Sequence, residues 1–372
     1  MTLTAERRSA EESLAADQSP TGPPLFGPGT RPVRTSSFSA LLHTRTMAVT
    51  LLITAAALAV AGWNMVSGSA MLGITEVIQA FLGSADEGTT RVVLEWRAPR
   101  VLFTLLGGAA LALAGAVFQS QTRNPLGSPD IIGFSTGAYT GALLMAAVGF
   151  TGLWATPIAA ILGGLATGAA VYLLAWKRGV SGLRIIIVGI GVSIFLSSFN
   201  TYLLTVLSLE TAMSVATWGA GSVNDITWNH VYPLLAVTAV ALPVMLAHAR
   251  QMRLMEMGDD AASGLGIRLE RVRLIQFTGG ILLVAVVTAA AGPIAFIALV
   301  APQLALRLTA ASSVQLLPAA AMGALLLTAS DAIARAETMP VSLPVGVVTL
   351  VLGGAYLVWL LVVMGRSKRG NR

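Results

Sequence analysis

The sequence predicts an all-α, polytopic membrane protein of about ten transmembrane helices, with both termini in the cytoplasm. Of its 372 residues, 55% are hydrophobic and only 11% are charged, whereas about a quarter of the residues in a soluble domain are charged. Apolar segments of about 20 residues, the length that crosses ~30 Å of hydrocarbon, follow one another along the chain. Lys and Arg also concentrate in alternate connections. We therefore expect a multi-pass protein of the cytoplasmic (plasma) membrane.

The predicted domains begin with a disordered cytoplasmic tail at residues 1–46. Its Arg, Ser, Pro and Gly content continues through "SPTGPPLFGPGTRPVRTSS", and it lacks the short apolar core of a cleaved signal peptide. A transmembrane domain follows at residues 47–365, and residues 366–372 form a basic cytoplasmic C-terminus. The predicted spans are 47–68, 100–120, 131–149, 154–176, 184–207, 231–249, 274–293, 294–309, 316–336 and 343–364.

Ten spans place both termini on one side of the membrane. Gly292 and Pro293, within "AGPIAF", separate the seventh span from the eighth, because proline interrupts a helix. With the N-terminus inside, all but four of the 23 basic residues lie on the cytoplasmic side. The four on the outer side are Arg91, Arg97, Arg100 and Arg335. This bias is typical of the positive-inside rule, so the net charge of +6 indicates membrane orientation rather than nucleic-acid binding.

Several function classes lack support in the sequence. There is no G-x-x-x-x-G-K-[ST] segment for ATP phosphates, no cysteine, and only three scattered histidines, His43, His230 and His248. We therefore expect no cofactor, no metal site and no enzymatic activity in this chain. The middles of the spans carry no Asp, Glu, Lys or His, which disfavours a secondary transporter or channel coupled to an ion.

Several motifs occur in a recognisable order. They are "EWRAPRVLFTLLGGAALALAGAVFQSQTRNPLGSPDIIGFSTGAYTGALL", "WGAGSVNDITW", "MGDDAASGLGIRLERVRL", "AGPIAFIALVAPQLALRL" and "LPVGVVTLVLGGAYLVWLL". Over about residues 47–365 the chain thereby resembles the membrane subunits of ABC importers for ferric siderophores and vitamin B12. It departs from that pattern at Gln303, where the family commonly has His after Pro302, and at "AASSV" (residues 310–314), where an Asp-His pair is usual.

The resemblance implies a permease subunit that passes a ferric siderophore from an extracytoplasmic substrate-binding protein into the cytoplasm. A corrinoid such as vitamin B12, or haem, is the alternative cargo. The implied partners are a second permease, either a non-identical sister or an identical copy, and two cytoplasmic ATPase subunits that hold ATP and Mg²⁺. A secondary transporter and an intramembrane enzyme are the alternatives from other classes.

Three outer arginines are the predicted docking residues for the binding protein: Arg97, Arg100 and Arg335. Arg97 and Arg100 are three residues apart and so share a helical face. A guanidinium can hold a carboxylate with two hydrogen bonds, and the family uses arginines at these positions. Snorkelling at the interface is the alternative explanation.

Two further sites are expected on the transport pathway. "RNPLGSP" reads as a tight turn, and the resemblance makes Asn124 and Leu126 a cytoplasmic gate. In the fifth span, polar residues near one stripe are predicted to line the pathway, although helix packing would also explain them. They are Ser193, Ser197, Asn200 and Thr201.

The acidic pair Asp259 and Asp260 suits a helix N-terminus, where carboxylates accept unpaired N–H bonds. An ordinary basic loop is the alternative. The resemblance makes residues 254–271 a pair of short coupling helices that fit a cleft on the ATPase. The predicted contact residues are Gly258, Asp259, Asp260, Ala261, Ala262, Ser263, Leu265 and Gly266.

Overall fold

The computed structural model describes residues 30–34, 39–68, 71–149, 155–176, 182–336 and 343–369. Most of these residues are helical, which confirms the all-α class. In chain order the helices are α1 (Thr44–Val66), α2 (Ile74–Phe81), α3 (Glu87–Thr122), α4 (Pro129–Ile132), α5 (Phe134–Ala147), α6 (Ala155–Ala175), α7 (Gly182–Val206), α8 (Leu209–Gly219), α9 (Trp228–Ala247), α10 (Ala249–Met255), α11 (Asp259–Gly264), α12 (Leu269–Ala291), α13 (Ile297–Thr309), α14 (Leu316–Ala334) and α15 (Val345–Arg369).

Seven helices of the described chain are long and apolar enough to cross a membrane: α1, α3, α6, α7, α9, α12 and α14. The helix α13 and the first part of α15 are apolar but shorter. Together with α5, each of these helices overlaps one of the ten predicted spans, although α3 begins well before its span, at Glu87. Only seven of the described helices meet the length and composition requirement. The protein is a multi-pass helical membrane protein.

A small hairpin precedes the first long helix. β1 (Thr30–Arg34) pairs antiparallel with β2 (Ser39–His43), and these are the only strands in the part of the chain that is described. Both strands lie within residues 1–46, the predicted cytoplasmic tail, and their pairing gives the backbone groups hydrogen-bond partners. Residues 1–29 and 35–38 of that tail, and residues 370–372 of the expected basic C-terminus, lie outside the described residues.

The helix α3 is the central element of the bundle, with 78% of its most apolar window buried, against 11% for α7. Its neighbours approach closely because α3 presents glycine to them. A Cβ on Gly108 would lie 2.2 Å from the Gly323 carbonyl oxygen of α14, and one on Gly115 would lie 1.7 Å from the Ala298 oxygen of α13. Small residues of this kind allow helices in lipid to pack backbone to backbone.

The start of α3 contains a π-helical segment, Val92–Arg97, which lies just before Pro99. The amide of Ala98 bonds to the Val93 oxygen, and Pro99 has no N–H to offer to the next carbonyl. The indole Nε1 of Trp228 donates to the Leu94 oxygen instead, at 2.9 Å. Such π-segments often occur at functional sites, and this one ends at a predicted docking arginine.

Three of the motifs quoted above meet where α12 ends. The amide of Ser222 donates to the Ala291 oxygen at 2.7 Å, and that of Gly346 donates to the Gly221 oxygen at 2.9 Å. Gly292 has a positive φ of 71°, and a Cβ there would lie 2.1 Å from the Trp218 oxygen. Glycine is therefore required on steric and conformational grounds, and the predicted break at "AGPIAF" is confirmed.

Candidate functional site

Arg97 lies at one end of the bundle, against the last turn of α1. Its Nη1 donates to the Met65 and Val66 carbonyl oxygens at 2.7 and 3.0 Å. These carbonyls lie in the last turn of α1, where acceptors have no intrahelical partner and a cation is favourable. Arg97 is only 7% exposed, and its guanidinium holds the end of α1 against α3.

Arg100 and Arg335 converge on one buried carboxylate, Asp331 of α14. Arg100 donates to the Asp331 Oδ1 from Nη2 at 2.6 Å and from Nε at 3.0 Å. The Nη2 of Arg335 lies 3.0 Å from the other oxygen, Oδ2. The side chains of Arg100 and Arg335 are 14% and 17% exposed, and that of Asp331 is fully buried. We call Arg97, Arg100, Asp331 and Arg335 the arginine cluster.

The arginine cluster brings the three predicted docking residues to one end of the bundle, but it gives them different surroundings. Arg100 already uses its fork on Asp331, whereas the Nε and Nη2 atoms of Arg335 make no hydrogen bond with favourable geometry. The cluster contains three guanidinium groups and one carboxylate, which pairs with two of them, so it keeps an excess of positive charge. Sequence reasoning missed Asp331 as its centre. The available signal was an acidic residue four positions before Arg335 in an otherwise apolar span.

At the opposite end of α3, the predicted gate residues form a compact turn. Arg123 closes α3 with a positive φ of 50°. The Asn124 Oδ1 then accepts a hydrogen bond from the Leu126 amide at 2.9 Å, which is a side-chain-stabilised turn of the kind asparagine favours. Leu126 is 37% exposed, so an apolar side chain projects from a turn whose shape is locally fixed.

The polar stripe predicted on the fifth span divides between two environments on α7. Ser193 contacts Thr136 of α5 through their hydroxyl oxygens at 3.2 Å, and Asn200 donates to the Thr136 carbonyl at 3.4 Å. Ser197 and Thr201 are exposed in the single chain. The first two therefore pack helices together, as the alternative explanation required, while the other two face outward.

The predicted coupling segment lies at the same end as the gate turn and contains two short helices, as expected, but with a different boundary. The first is α10, which begins at Ala249, before the predicted range, and the second is α11. Residues from Leu269 onward already belong to the long helix α12. The N-cap of α11 is Gly258, with a φ of 123°, and no side chain caps this helix.

The eight predicted contact residues thus lie together in and around α11. Met257 and Leu265 are 69% and 61% exposed, and Ala262 is buried. Asp259 and Asp260 lie in the first turn of α11, as expected for a helix N-terminus, but neither side chain caps the helix. Two guanidinium groups occupy the Asp259 carboxylate instead. Oδ1 pairs with Arg123, and both oxygens lie 3.3 Å from the Nη2 of Arg273. Asp260 is exposed.

A second contact joins the end of α3 to the same segment. The Ser120 hydroxyl donates to the Glu256 Oε1 at 2.5 Å, and the Nε of Arg123 donates to the Met255 oxygen at 3.0 Å. Burial raises the pKa of the Glu256 carboxyl, although this hydrogen bond and nearby arginines oppose the change. For Asp259, partial burial also acts to raise the pKa, but Arg273 and Arg123 outweigh it and lower the pKa.

A polar cavity of about 220 Å³ opens beside the gate turn. Gln303, which stands where the family usually has histidine, donates from Nε2 to the Gln119 Oε1 at 2.7 Å. Gln119 in turn donates to the Leu299 carbonyl at 2.8 Å. Gln303 therefore completes a buried amide chain between α13 and α3. Across the described residues, no cluster of His, Asp and Glu is suited to holding a metal ion.

Comparison with known proteins agrees with this architecture. Residues 51–363 match the FecCD transport family. The chain is 47% identical to the ferric enterobactin transport system permease protein FepG of Escherichia coli (strain K12), over 87% of this chain and 98% of FepG. It is 35% identical to the iron(3+)-hydroxamate import system permease protein FhuG of Bacillus subtilis (strain 168), over 77% of this chain and 88% of FhuG.

The fold also resembles that of a solved metal-chelate type ABC transporter in an inward-facing conformation. The TM-score is 0.75 at 26% sequence identity, and the match covers 85% of this chain and 99% of the other. The family match includes the helices that carry the arginine cluster, the gate turn and the coupling segment. The chain therefore belongs to the FecCD transport family.

Proposed function

We propose that this protein is the membrane-spanning permease subunit of an ABC importer that moves a ferric siderophore into the cytoplasm. The observation that carries the proposal is the 47% identity to FepG across nearly the whole of that permease. Because the chain has no cysteine and only three scattered histidines, the iron crosses enclosed in its own chelator. Ferric enterobactin is the first cargo to test, and a corrinoid or haem is the competing cargo.

The energy source in this proposal is ATP hydrolysis on two separate ATPase subunits. A second permease, identical or a sister, completes the pathway, and a substrate-binding protein delivers the cargo. The ten predicted spans include α5, α13 and α15 as short crossing segments, with both termini in the cytoplasm. The distribution of arginine and lysine supports this sidedness, which places the arginine cluster outside and the coupling segment inside.

Docking of the binding protein is assigned to the outer arginine cluster. Its excess of positive charge favours an acidic partner. The geometry supports different roles for the three predicted docking arginines. Arg335 and Arg100 keep 17% and 14% of their side chains exposed to a partner, whereas Arg97 is buried against α1.

Gating is assigned to Asn124 and Leu126, which stand beside the polar cavity at the cytoplasmic end of α3. Ser197 and Thr201 remain candidates for the pathway wall because they are exposed in the single chain. Ser193 and Asn200 support that wall by bonding α7 to α5. The ATPase contact is assigned to the segment from Gly258 to Gly266, with the exposed Met257 and Leu265 at its surface.

The cargo is tested by uptake of iron-55 in a host that lacks its own siderophore permeases but expresses the matching ATPase, sister permease and binding protein. Cells carrying this chain should accumulate iron from ferric enterobactin, and excess vitamin B12 or haem should leave that uptake unchanged. Inhibition by vitamin B12 or haem would reassign the cargo. If no iron accumulates although the complex is assembled in the membrane, import of ferric enterobactin is excluded.

A further inference from the structure

The gate turn and the coupling segment are distant in sequence but joined in space. Arg123 and Asp259 are 136 positions apart, yet their side chains form an ion pair. The contact of Arg123 with the Met255 carbonyl and that of Ser120 with Glu256 lie beside it. One of these partners is a backbone carbonyl, so the end of α3 is held to the main chain of the segment as well as to its side chains.

Asp259 also connects this junction to α12. Arg273, in the first turns of α12, is 3% exposed, and both carboxylate oxygens of Asp259 lie 3.3 Å from its Nη2. A buried cation is costly unless an anion compensates it, so Arg273 favours a fixed, ionised Asp259. One carboxylate thereby fastens the end of α3 to the first turns of α12. We call Arg123, Asp259 and Arg273 the ion-pair link.

The coupling segment consequently has two faces with different chemistry. Met257 and Leu265 project apolar side chains into the surroundings, while Asp259 is directed at the guanidinium groups of the permease itself. A partner that pushes on the exposed face would move the ion-pair link with it. Energetic coupling between sites requires such a physical connection between elements.

We propose that Asp259 is a positioning residue that makes the coupling segment and the gate turn move as one body. This inference rests on the proposed function, because it assumes that the segment receives the motion of an ATPase. Asp259 in this account acts within the permease, through Arg123, rather than by bonding to the ATPase. Its loss should leave hydrolysis of ATP intact but separate it from import.

The test uses the complete reconstituted complex and measures ferric enterobactin imported per ATP hydrolysed. Asp259→Asn and Arg123→Gln should each lower this ratio by about fivefold, and the double variant should lower it little further, because both changes remove the Arg123–Asp259 ion pair. Glu87→Gln is the matched control: it removes an exposed carboxylate from the Arg91 ion pair near the start of α3 and should leave the ratio unchanged. Effects that multiply in the double variant would overturn the link, as would an unchanged ratio in Asp259→Asn.

Import measurements separate this inference from the proposed function, and co-purification of the ATPase tests the inference in a second way. If Asp259→Asn imports cargo at the wild-type rate and with a normal ratio of cargo imported to ATP hydrolysed, only the ion-pair link is rejected. If the wild-type complex shows no ATP-driven import, the proposed function is rejected. Loss of the ATPase from the Asp259→Asn complex would also overturn the inference, since Asp259 would then be an interface residue.

A cross-linked variant tests the same inference without removing the charges of the ion-pair link, and so it remains informative if the charge variants misfold. The chain has no cysteine, so Ser120→Cys with Glu256→Cys can be joined selectively by a short thiol cross-linker. If the gate turn and the segment move together, the cross-linked complex should import at least half as fast as the same variant without cross-linker. Inactivation by the cross-link would contradict movement as one body.

Discussion

The arginines at the outer end illustrate how residues of one type acquire different tasks from their neighbours. Arg97 donates to carbonyls at the end of α1, Arg100 forms a two-point contact with Asp331, and Arg335 forms an ion pair with the other oxygen of Asp331. From sequence alone all three arginines receive the same predicted role, because each is a basic residue near a membrane surface. Only the packing of α1, α3 and α14 distinguishes them.

Arg335→Gln should therefore weaken docking with little effect on folding. Removing its charge lowers the positive charge that the arginine cluster presents to an acidic partner, so stimulation of ATP hydrolysis by loaded binding protein should fall about tenfold, the effect expected for a charge-assisted contact worth ~1.4 kcal/mol. The measurement is the ATPase rate of the complex in nanodiscs as the binding protein is titrated. Stimulation equal to that of the wild type would remove Arg335 from the docking site.

Asp331→Asn is the informative comparison for that experiment. It leaves two guanidinium groups side by side without their counter-ion, and breaking a buried ion pair from one side typically costs about 3–5 kcal/mol. We expect this variant to melt earlier in detergent, whereas Arg335→Gln should melt close to the wild type. Simultaneous reversal of all three arginines would mix both effects and so would not isolate docking.

At the scale of elements, the spacing between α3 and its neighbours depends on glycine. Gly115→Val should prevent α13 from packing, because even a Cβ would lie 1.7 Å from the Ala298 oxygen. Overpacking commonly costs ~1–3 kcal/mol, and a clash with backbone allows less relief than one with a side chain. The readout is the fraction of protein that elutes as a single species on size exclusion in detergent, which should fall strongly.

Gly62→Val provides the control for this change. A Cβ on Gly62 of α1 would meet no atom within 4 Å, so the same substitution in another span should elute like the wild type. Equal behaviour of the two variants would contradict the claim that close backbone approach, rather than helix propensity, determines the need for glycine in α3.

The positions of the helices were predictable because their signal is local: an apolar run of sufficient length, ended by glycine, proline or charge. The break at Gly292 and Pro293 belongs to this class. The π-segment Val92–Arg97 was not predicted, and one of its carbonyls, that of Leu94, is bonded by the distant Trp228. The environment of Asp259 was also mispredicted, because a helix-terminal carboxylate can either cap its own helix or pair with arginines from elsewhere in the chain.

The site predictions also divide into those with a local signal in the sequence and those that depend on packing between helices. Motifs located the gate turn and the coupling segment, because each is a short contiguous stretch with turn-forming residues. The polar stripe of α7 was resolved only by packing, which placed Ser193 and Asn200 against α5 and left Ser197 and Thr201 exposed. Periodicity identifies a helical face, but it does not say what covers that face.

For the whole molecule, one helical bundle carries a proposed functional region at each end of α3. The arginine cluster lies near the start of this helix, and the gate turn and ion-pair link lie at its end. Such an arrangement suits a permease that receives cargo on one side and mechanical work on the other. The helices between the two ends carry the packing that keeps them in fixed relation.

The measurement that tests this account most directly is import of ferric enterobactin into proteoliposomes that contain the full complex. ATP should be enclosed, binding protein added outside, and proton and sodium gradients collapsed. We predict import that requires both enclosed ATP and binding protein and that persists without any ion gradient. Import that proceeds without ATP but stops when the gradients are collapsed would contradict the account and identify a secondary transporter.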